Sequence, residues 1–233
     1  MHRFYLPPEN FRGDYIISND LELINQLAKV LRARHGDKFL VFNNSESEFV
    51  SQLVELSKKE VKFLIIDQQP GAREPSRKIT LYQSLLKSDK FDWLIQKAVE
   101  LGVSRIVPVY SKYCIVKDIT AGKRKRYEDI IKEATEQCGG VRLPLLAYVI
   151  DFKTAIEEAG KLSGAKLIAW EKETEYDLAD AATEDIQLFI GPEGGYSEEE
   201  IEAAKNRQIV PVTLGKRILR AETAAIAALA KLL

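Results

Sequence analysis

The sequence predicts an α/β protein in which a small β-barrel is followed by a larger α/β domain. Three observations predict it. Short β-rich pieces alternate with turns through residues 1–72, Gln69–Ser76 then brings two prolines, a glycine and charges together, and from Lys78 the chain takes up a strand–helix–strand rhythm. At 233 residues the chain lies between one and two domains of roughly 150 residues each. The expected division is 1–72 for the barrel and 73–233 for the α/β domain.

In the first part His2–Leu6, Tyr15–Ile17, Lys38–Asn43, Glu48–Leu56 and Val61–Asp67 read as strands, with a helix near Leu21–Leu31. Gln69–Ser76 suits an exposed connection. Beyond it, Ile79–Leu85, Arg105–Tyr110 and Leu145–Val149 read as strands and Lys90–Leu101 and Lys123–Glu136 as helices, with another helix from about Phe152. Lys166–Trp170, Ile186–Ile190 and Ile209–Leu214 are further strands, spaced as parallel crossovers require. An alanine-rich helix, about Glu222–Leu232, ends the chain.

Composition removes several function classes. Hydrophobic residues make up 45% of the chain, enough for a real core, and 34 basic against 35 acidic residues leave a net charge of −1. That balance argues against a uniformly basic nucleic-acid coat, so any contact with RNA must come from local patches. No apolar run approaches the roughly 20 residues that span a bilayer, and Met1–Pro8 shows no signal-peptide pattern. A cytoplasmic protein with no membrane partner is expected. Cys114 and Cys138 fit no metal spacing, and His2 and His35 are too few for a zinc site or a Ser-His-Asp triad. No metal is expected.

Two turns carry the chemistry. Ile190-Gly191-Pro192-Glu193-Gly194-Gly195-Tyr196-Ser197 follows a strand and precedes a helix that Ser197 and Glu200 open as a capping box. Its glycines let the backbone approach a ligand at a strand's carboxyl end, where open α/β sheets bind ligands. Leu214-Gly215-Lys216-Arg217-Ile218-Leu219-Arg220-Ala221-Glu222-Thr223-Ala224 repeats that placement. Neither stretch fits a P-loop or a GxGxxG dinucleotide turn.

These residues resemble the RsmE-type 16S ribosomal RNA uracil-N3 methyltransferases of the SPOUT, or trefoil-knot, superfamily. The resemblance covers the whole chain and extends to Gln96–Val103, to Glu136-Gln137-Cys138 with Arg142 and Pro144, and to Val30-Leu31-Arg32. It implies a C-terminal SPOUT domain with a deep knot, an N-terminal PUA-like β-barrel that helps hold RNA, S-adenosylmethionine as cofactor, and a homodimer acting on 16S ribosomal RNA or the 30S subunit. The family usually has a histidine where this chain has Gln26, and often an arginine where it has Gly140.

By the same resemblance the cofactor would be wrapped by Trp170, Glu171, Ile190, Gly191, Pro192, Glu193, Gly194, Gly195, Leu214, Gly215, Ile218, Leu219 and Arg220. Glu193 and Glu222 are candidate proton acceptors, and Arg220 a candidate partner for the developing uracil oxyanion. RNA contacts would come from Arg3, Arg12, Lys29, Arg32, Arg34, Lys97 and Arg142. The rival readings are a non-catalytic RNA-binding ribosome-assembly factor and a SPOUT methyltransferase with another RNA substrate.

Overall fold

The computed structural model describes residues 1–178 and 183–233. Their contacts divide into two compact units, Met1–Glu74 with Thr135–Leu143, and Pro75–Ala134 with Pro144–Leu233.

The first unit is a six-stranded sheet of β1 (Arg3–Tyr5), β2 (Phe11–Arg12), β3 (Tyr15–Ser18), β4 (Lys38–Phe42), β5 (Ser47–Leu56) and β6 (Val61–Pro70), in the order β1-β4-β5-β6-β3-β2. Phe4, Ile16, Phe39, Val41, Leu53, Val61 and Phe63, drawn from five of these strands, meet in one core, so one face of the sheet curls around it. Two register shifts between β5 and β6 supply local bending. The expected helix starts as α1 (Leu21–Asn25), capped by Asp20, and widens into a π-helical turn over Gln26–Val30. Arg32 then takes a left-handed φ of 52°, and the Ala33 amide donates to the Leu27 carbonyl at 2.8 Å. The helical pattern therefore ends by winding open rather than by a cap. Strand β6 also runs to Pro70, into the stretch expected as a connection.

Thr135–Leu143 joins this unit through specific bonds. Asn44 Oδ1 accepts from the Leu143 amide at 2.5 Å, and Glu74 Oε1 accepts from the Val141 amide at 2.6 Å.

The second unit carries a seven-stranded sheet of β7 (Lys78–Ser84), β8 (Arg105–Tyr110), β9 (Leu145–Leu146), β10 (Ile150–Asp151), β11 (Ala165–Ala169), β12 (Asp185–Ile190) and β13 (Val210–Val212). Its order is β10-β8-β7-β12-β11-β13, with β9 also on β8, and every pairing is parallel. The helices are α2 (Ser88–Glu100), α3 (Ala121–Cys138), α4 (Phe152–Gly160), α5 (Glu198–Lys205) and α6 (Ala221–Leu232). The central strands β7 and β12 are buried on both faces, as a covered parallel sheet demands; Tyr82 and Phe189 stack at 4.3 Å between ring centres. Of the strand expected over Leu145–Val149 only Leu145–Leu146 forms, as β9, and β10 follows beyond it at Ile150–Asp151.

Candidate active site

Strands β12, β11 and β13 lie side by side and parallel, so the turns leaving their carboxyl ends converge. They enclose a cavity of about 300 Å³. Trp170 and Glu171 line it after β11, Ile190–Tyr196 after β12, and Thr213–Leu219 after β13. This volume sits at the low end of the roughly 300–1,000 Å³ usual for small-molecule sites.

Two glycines show why the β12 turn needs its sequence. Gly195 has φ +70°, and a Cβ there would meet the Glu171 carboxylate at 3.3 Å. A Cβ on Gly194 would come within 2.9 Å of the Tyr113 Cβ, closer than side chains pack. The turn is then pinned by α5's capping box, in which Ser197 Oγ accepts from the Glu200 amide at 3.3 Å and Glu200 Oε2 from the Ser197 amide at 2.9 Å. Beneath it the buried Tyr196 hydroxyl takes a bond from Ser84 Oγ at 3.4 Å. Burial drives that phenol's pKa far above its ordinary value, so it stays neutral.

At one side of the cavity stands a charged cluster. Lys90 Nζ, on the first turn of α2, lies 3.7 Å from Glu193 Oε1 and 3.4 Å from Glu222 Oε1. Glu222 is the more buried carboxylate, and its Oε2 is shut off from solvent without a hydrogen-bond partner among the described residues. Trp170 Nε1, on a residue that lines the cavity, is a buried donor in the same position.

With this geometry in place, comparison with known proteins is informative. The family described as an RNA methyltransferase domain matches residues 73–233, and an RNA methyltransferase PUA domain matches 22–66. A ribosomal RNA small subunit methyltransferase E from Mesomycoplasma hyopneumoniae is 36% identical over 237 residues, covering 99% of this chain and 98% of its own. This chain belongs to the ribosomal RNA small subunit methyltransferase E family. Among solved structures, the methyltransferase E of Neisseria gonorrhoeae bound to S-adenosylmethionine superposes with a TM-score of 0.88 at 35% identity, over 99% of this chain and 95% of that one. A putative methyltransferase from Legionella pneumophila, also with that cofactor, gives 0.83 at 32% identity over 98% and 95%.

In this methyltransferase E chain, twelve of the thirteen residues expected at the cofactor line the cavity: Trp170, Glu171, Ile190–Gly195, Leu214, Gly215, Ile218 and Leu219. Arg220 does not; it stands at the N-cap of α6 with an exposed side chain. Glu222 lies behind the lining, reached through Lys90. Thr213 lines the cavity, and Lys90 beside Glu193 and Tyr113 beside Gly194 adjoin it, three positions that the sequence did not single out, although a lysine in the first turn of a helix, against its dipole, is a signal that could have found Lys90.

The residues expected on RNA divide sharply. Arg12, Lys29, Arg32 and Arg34 are exposed and make no ion pair among the described residues. Arg3 is instead an internal strut. It pairs with Glu48, donates to the carbonyls of Gly139 at 3.1 Å and Gly140 at 2.9 Å, and lies over the Phe42 ring. Arg142 pairs with Glu46 at 2.5 Å and Lys97 with Glu100 at 2.7 Å.

Proposed function

We propose that this protein transfers a methyl group from S-adenosylmethionine to N3 of a uridine in 16S ribosomal RNA, acting as a cytoplasmic homodimer on an assembled or partly assembled 30S subunit. The observation that carries the reading is the cavity at the ends of β11, β12 and β13, made by the turns that the methyltransferase E resemblance singles out. Its lining suits the cofactor. Backbone edges at Gly191–Gly195 and Gly215 can read an adenine, apolar Ile190, Leu214, Ile218 and Leu219 can cover it, Trp170 Nε1 is a donor without a partner among the described residues, and Glu171 and Glu193 offer negative charge to a cation.

When bound, the cofactor supplies a methyl group activated on a sulfonium. The chain must then place N3 in line with that carbon and accept one proton. Glu193 lines the cavity and would take the N3 proton, with Glu222 paired to the same Lys90. Arg220 has no ion-pair partner among the described residues, and its guanidinium can stabilise the charge that develops on the uracil oxygens. Ile218 is 85% exposed beside the cavity, an apolar surface that a second copy of the chain would cover.

Calorimetric titration with S-adenosylmethionine tests the cavity, and reverse transcription across methylated small-subunit RNA tests the product, because a methyl group at N3 blocks base pairing and stops the polymerase. Gly194→Val should abolish cofactor binding. Undiminished binding by that variant would remove the cavity from the site, and polymerase read-through with a methyl group present elsewhere on the base or ribose would remove N3.

A further inference from the structure

We infer that Lys90 is a positioning residue for methyl transfer, sharing its ammonium between Glu193 and Glu222 so that the Glu193 carboxylate is held where a substrate proton arrives. The inference rests on the methyl-transfer reading and deepens it.

Four observations carry it. Lys90 reaches both carboxylates, at 3.7 Å and 3.4 Å, and without it two negative groups would face each other across the gap. Those separations are ion-pair distances, longer than the 2.7–2.9 Å of a closed charge-assisted hydrogen bond, so the cluster has room to tighten when a ligand enters. Lys90 also occupies the first turn of α2, where a cation opposes the helix dipole; helix stability does not account for its placement. Finally, the two carboxylates are unequal. Glu193 is 31% exposed and lines the cavity, while Glu222 is 13% exposed with one oxygen sealed and without a partner among the described residues. Only Glu193 is open to a substrate. Glu222, at the start of α6 where a negative charge suits the helix dipole, anchors the lysine from behind.

One ammonium and two carboxylates leave the cluster with a net charge of −1, which complements a cationic methyl donor. The step itself balances without another reactant. The N3–H bond breaks and its proton passes to Glu193, the N3 electron pair forms the bond to the methyl carbon, and the carbon–sulfur bond breaks with its electrons left on a neutral sulfur.

The test compares Lys90→Met, Lys90→Arg, Glu193→Gln, Glu222→Gln and the double variant Lys90→Met/Glu193→Gln with wild type. The readouts are thermal unfolding of the ligand-free protein, calorimetric affinity for S-adenosylhomocysteine, and kcat and KM on small-subunit RNA. For Lys90→Met the expected result is an unfolding midpoint and product affinity close to wild type, an unchanged KM, and a kcat lowered roughly 10- to 100-fold, the scale of a misplaced reacting group. Lys90→Arg should recover most of the rate, and Glu222→Gln should lose rate in the same sense. If Lys90 acts through Glu193, adding Lys90→Met to Glu193→Gln lowers kcat no further.

Full kcat in Lys90→Met, or independent multiplication of the two losses, overturns the inference. So does a loss explained by a lower unfolding midpoint or weaker product binding, which would make Lys90 an ordinary structural ion pair. A wild-type protein that binds no S-adenosylhomocysteine and methylates nothing brings down the methyl-transfer reading itself, and this inference with it.

Discussion

Glu200 does two jobs, and removing it should cost twice what removing its capping partner costs. Its Oε2 accepts the Ser197 amide at 2.9 Å, closing the capping box on α5, and its Oε1 accepts the Lys112 amide at 2.8 Å from the loop after β8. Ser197→Ala removes one acceptor at a helix N-cap, about 1 kcal/mol. Glu200→Ala strands two backbone donors that had a charged partner. At a half-buried position solvent screening brings each such bond down to about 1 kcal/mol, the ordinary net value of a hydrogen bond, giving about 2 kcal/mol together. In a unit of this size that corresponds to a fall of roughly 4–8 °C in unfolding midpoint. The assay is urea unfolding followed by tryptophan fluorescence, which isolates the relevant transition because Trp93 and Trp170 both belong to the second unit. Glu200→Gln should restore part of the loss. Tyr113, next to Lys112, abuts Gly194, so Glu200→Ala should also weaken S-adenosylmethionine binding several-fold more than Ser197→Ala does. If Glu200→Ala costs no more than Ser197→Ala, the Lys112 bond contributes nothing and this reasoning fails.

Two other perturbations separate structural charges from functional ones. Asp151 caps α4, accepting the Thr154 amide at 2.9 Å and its hydroxyl at 2.8 Å, and these bonds hold the carboxyl below its ordinary value of 3.8. A depressed folded pKa means the stabilisation is complete above that value and disappears as pH falls through the folded one, so Asp151→Ala should cost about 1 kcal/mol at neutral pH and clearly less near pH 3; an equal cost at both would refute the charge-assisted cap. Arg3→Ala should destabilise the first unit by about 2 kcal/mol, because it takes away two carbonyl bonds and the partner of the partly buried Glu48 carboxylate, and Arg3→Lys should not rescue it because a lysine cannot reach Glu48 and two carbonyls together. Circular dichroism in urea reads the effect, and unchanged stability with reduced RNA affinity would move Arg3 from strut to RNA contact.

What the sequence made legible were the features written in adjacent residues. The turn Gly191–Gly195 follows an apolar strand and leads into Ser197 and Glu200, so strand, turn and cap can each be read from their neighbours, and the cavity forms there. Features that depend on distant partners were not legible. Lys90 looks like one more surface cation in a charged helix until folding brings Glu193 and Glu222 to it. Thr135–Leu143 starts as the end of α3 and runs on through Gly139-Gly140, and nothing in its composition assigns it to the first unit; Asn44, Glu46, Glu74 and Arg3 do that, through bonds that exist only once the chain has folded. The π-helical turn escaped for the same reason, since the apolar spacing of Leu23, Leu27 and Leu31 suits an ordinary helix and gives no sign that Arg32 turns left-handed.

A chain with a net charge of −1 can still hold RNA if its cations are unequally employed, and they are. Arg12, Lys29, Arg32 and Arg34 in the first unit, and Lys216, Arg217 and Arg220 after β13, are exposed and make no ion pair among the described residues, whereas Arg142 and Lys97 have carboxylate partners. An unpaired cation that reaches a phosphate releases a counterion outright, contributing roughly 0.7 to the slope of log affinity against log salt for single-stranded RNA. A paired one must first give up its carboxylate, which offsets part of the gain. Arg32→Ala and Arg217→Ala should therefore each flatten the slope by about 0.7, while Arg142→Ala should change it much less, since Glu46 already occupies its guanidinium at 2.5 Å. Fluorescence anisotropy of a labelled small-subunit RNA fragment, titrated at several potassium chloride concentrations, measures all three. Equal slopes for Arg32→Ala and wild type would take Arg32 off the RNA, and an equal effect of Arg142→Ala and Arg32→Ala would show that ion pairing inside the protein does not decide which cations the RNA uses.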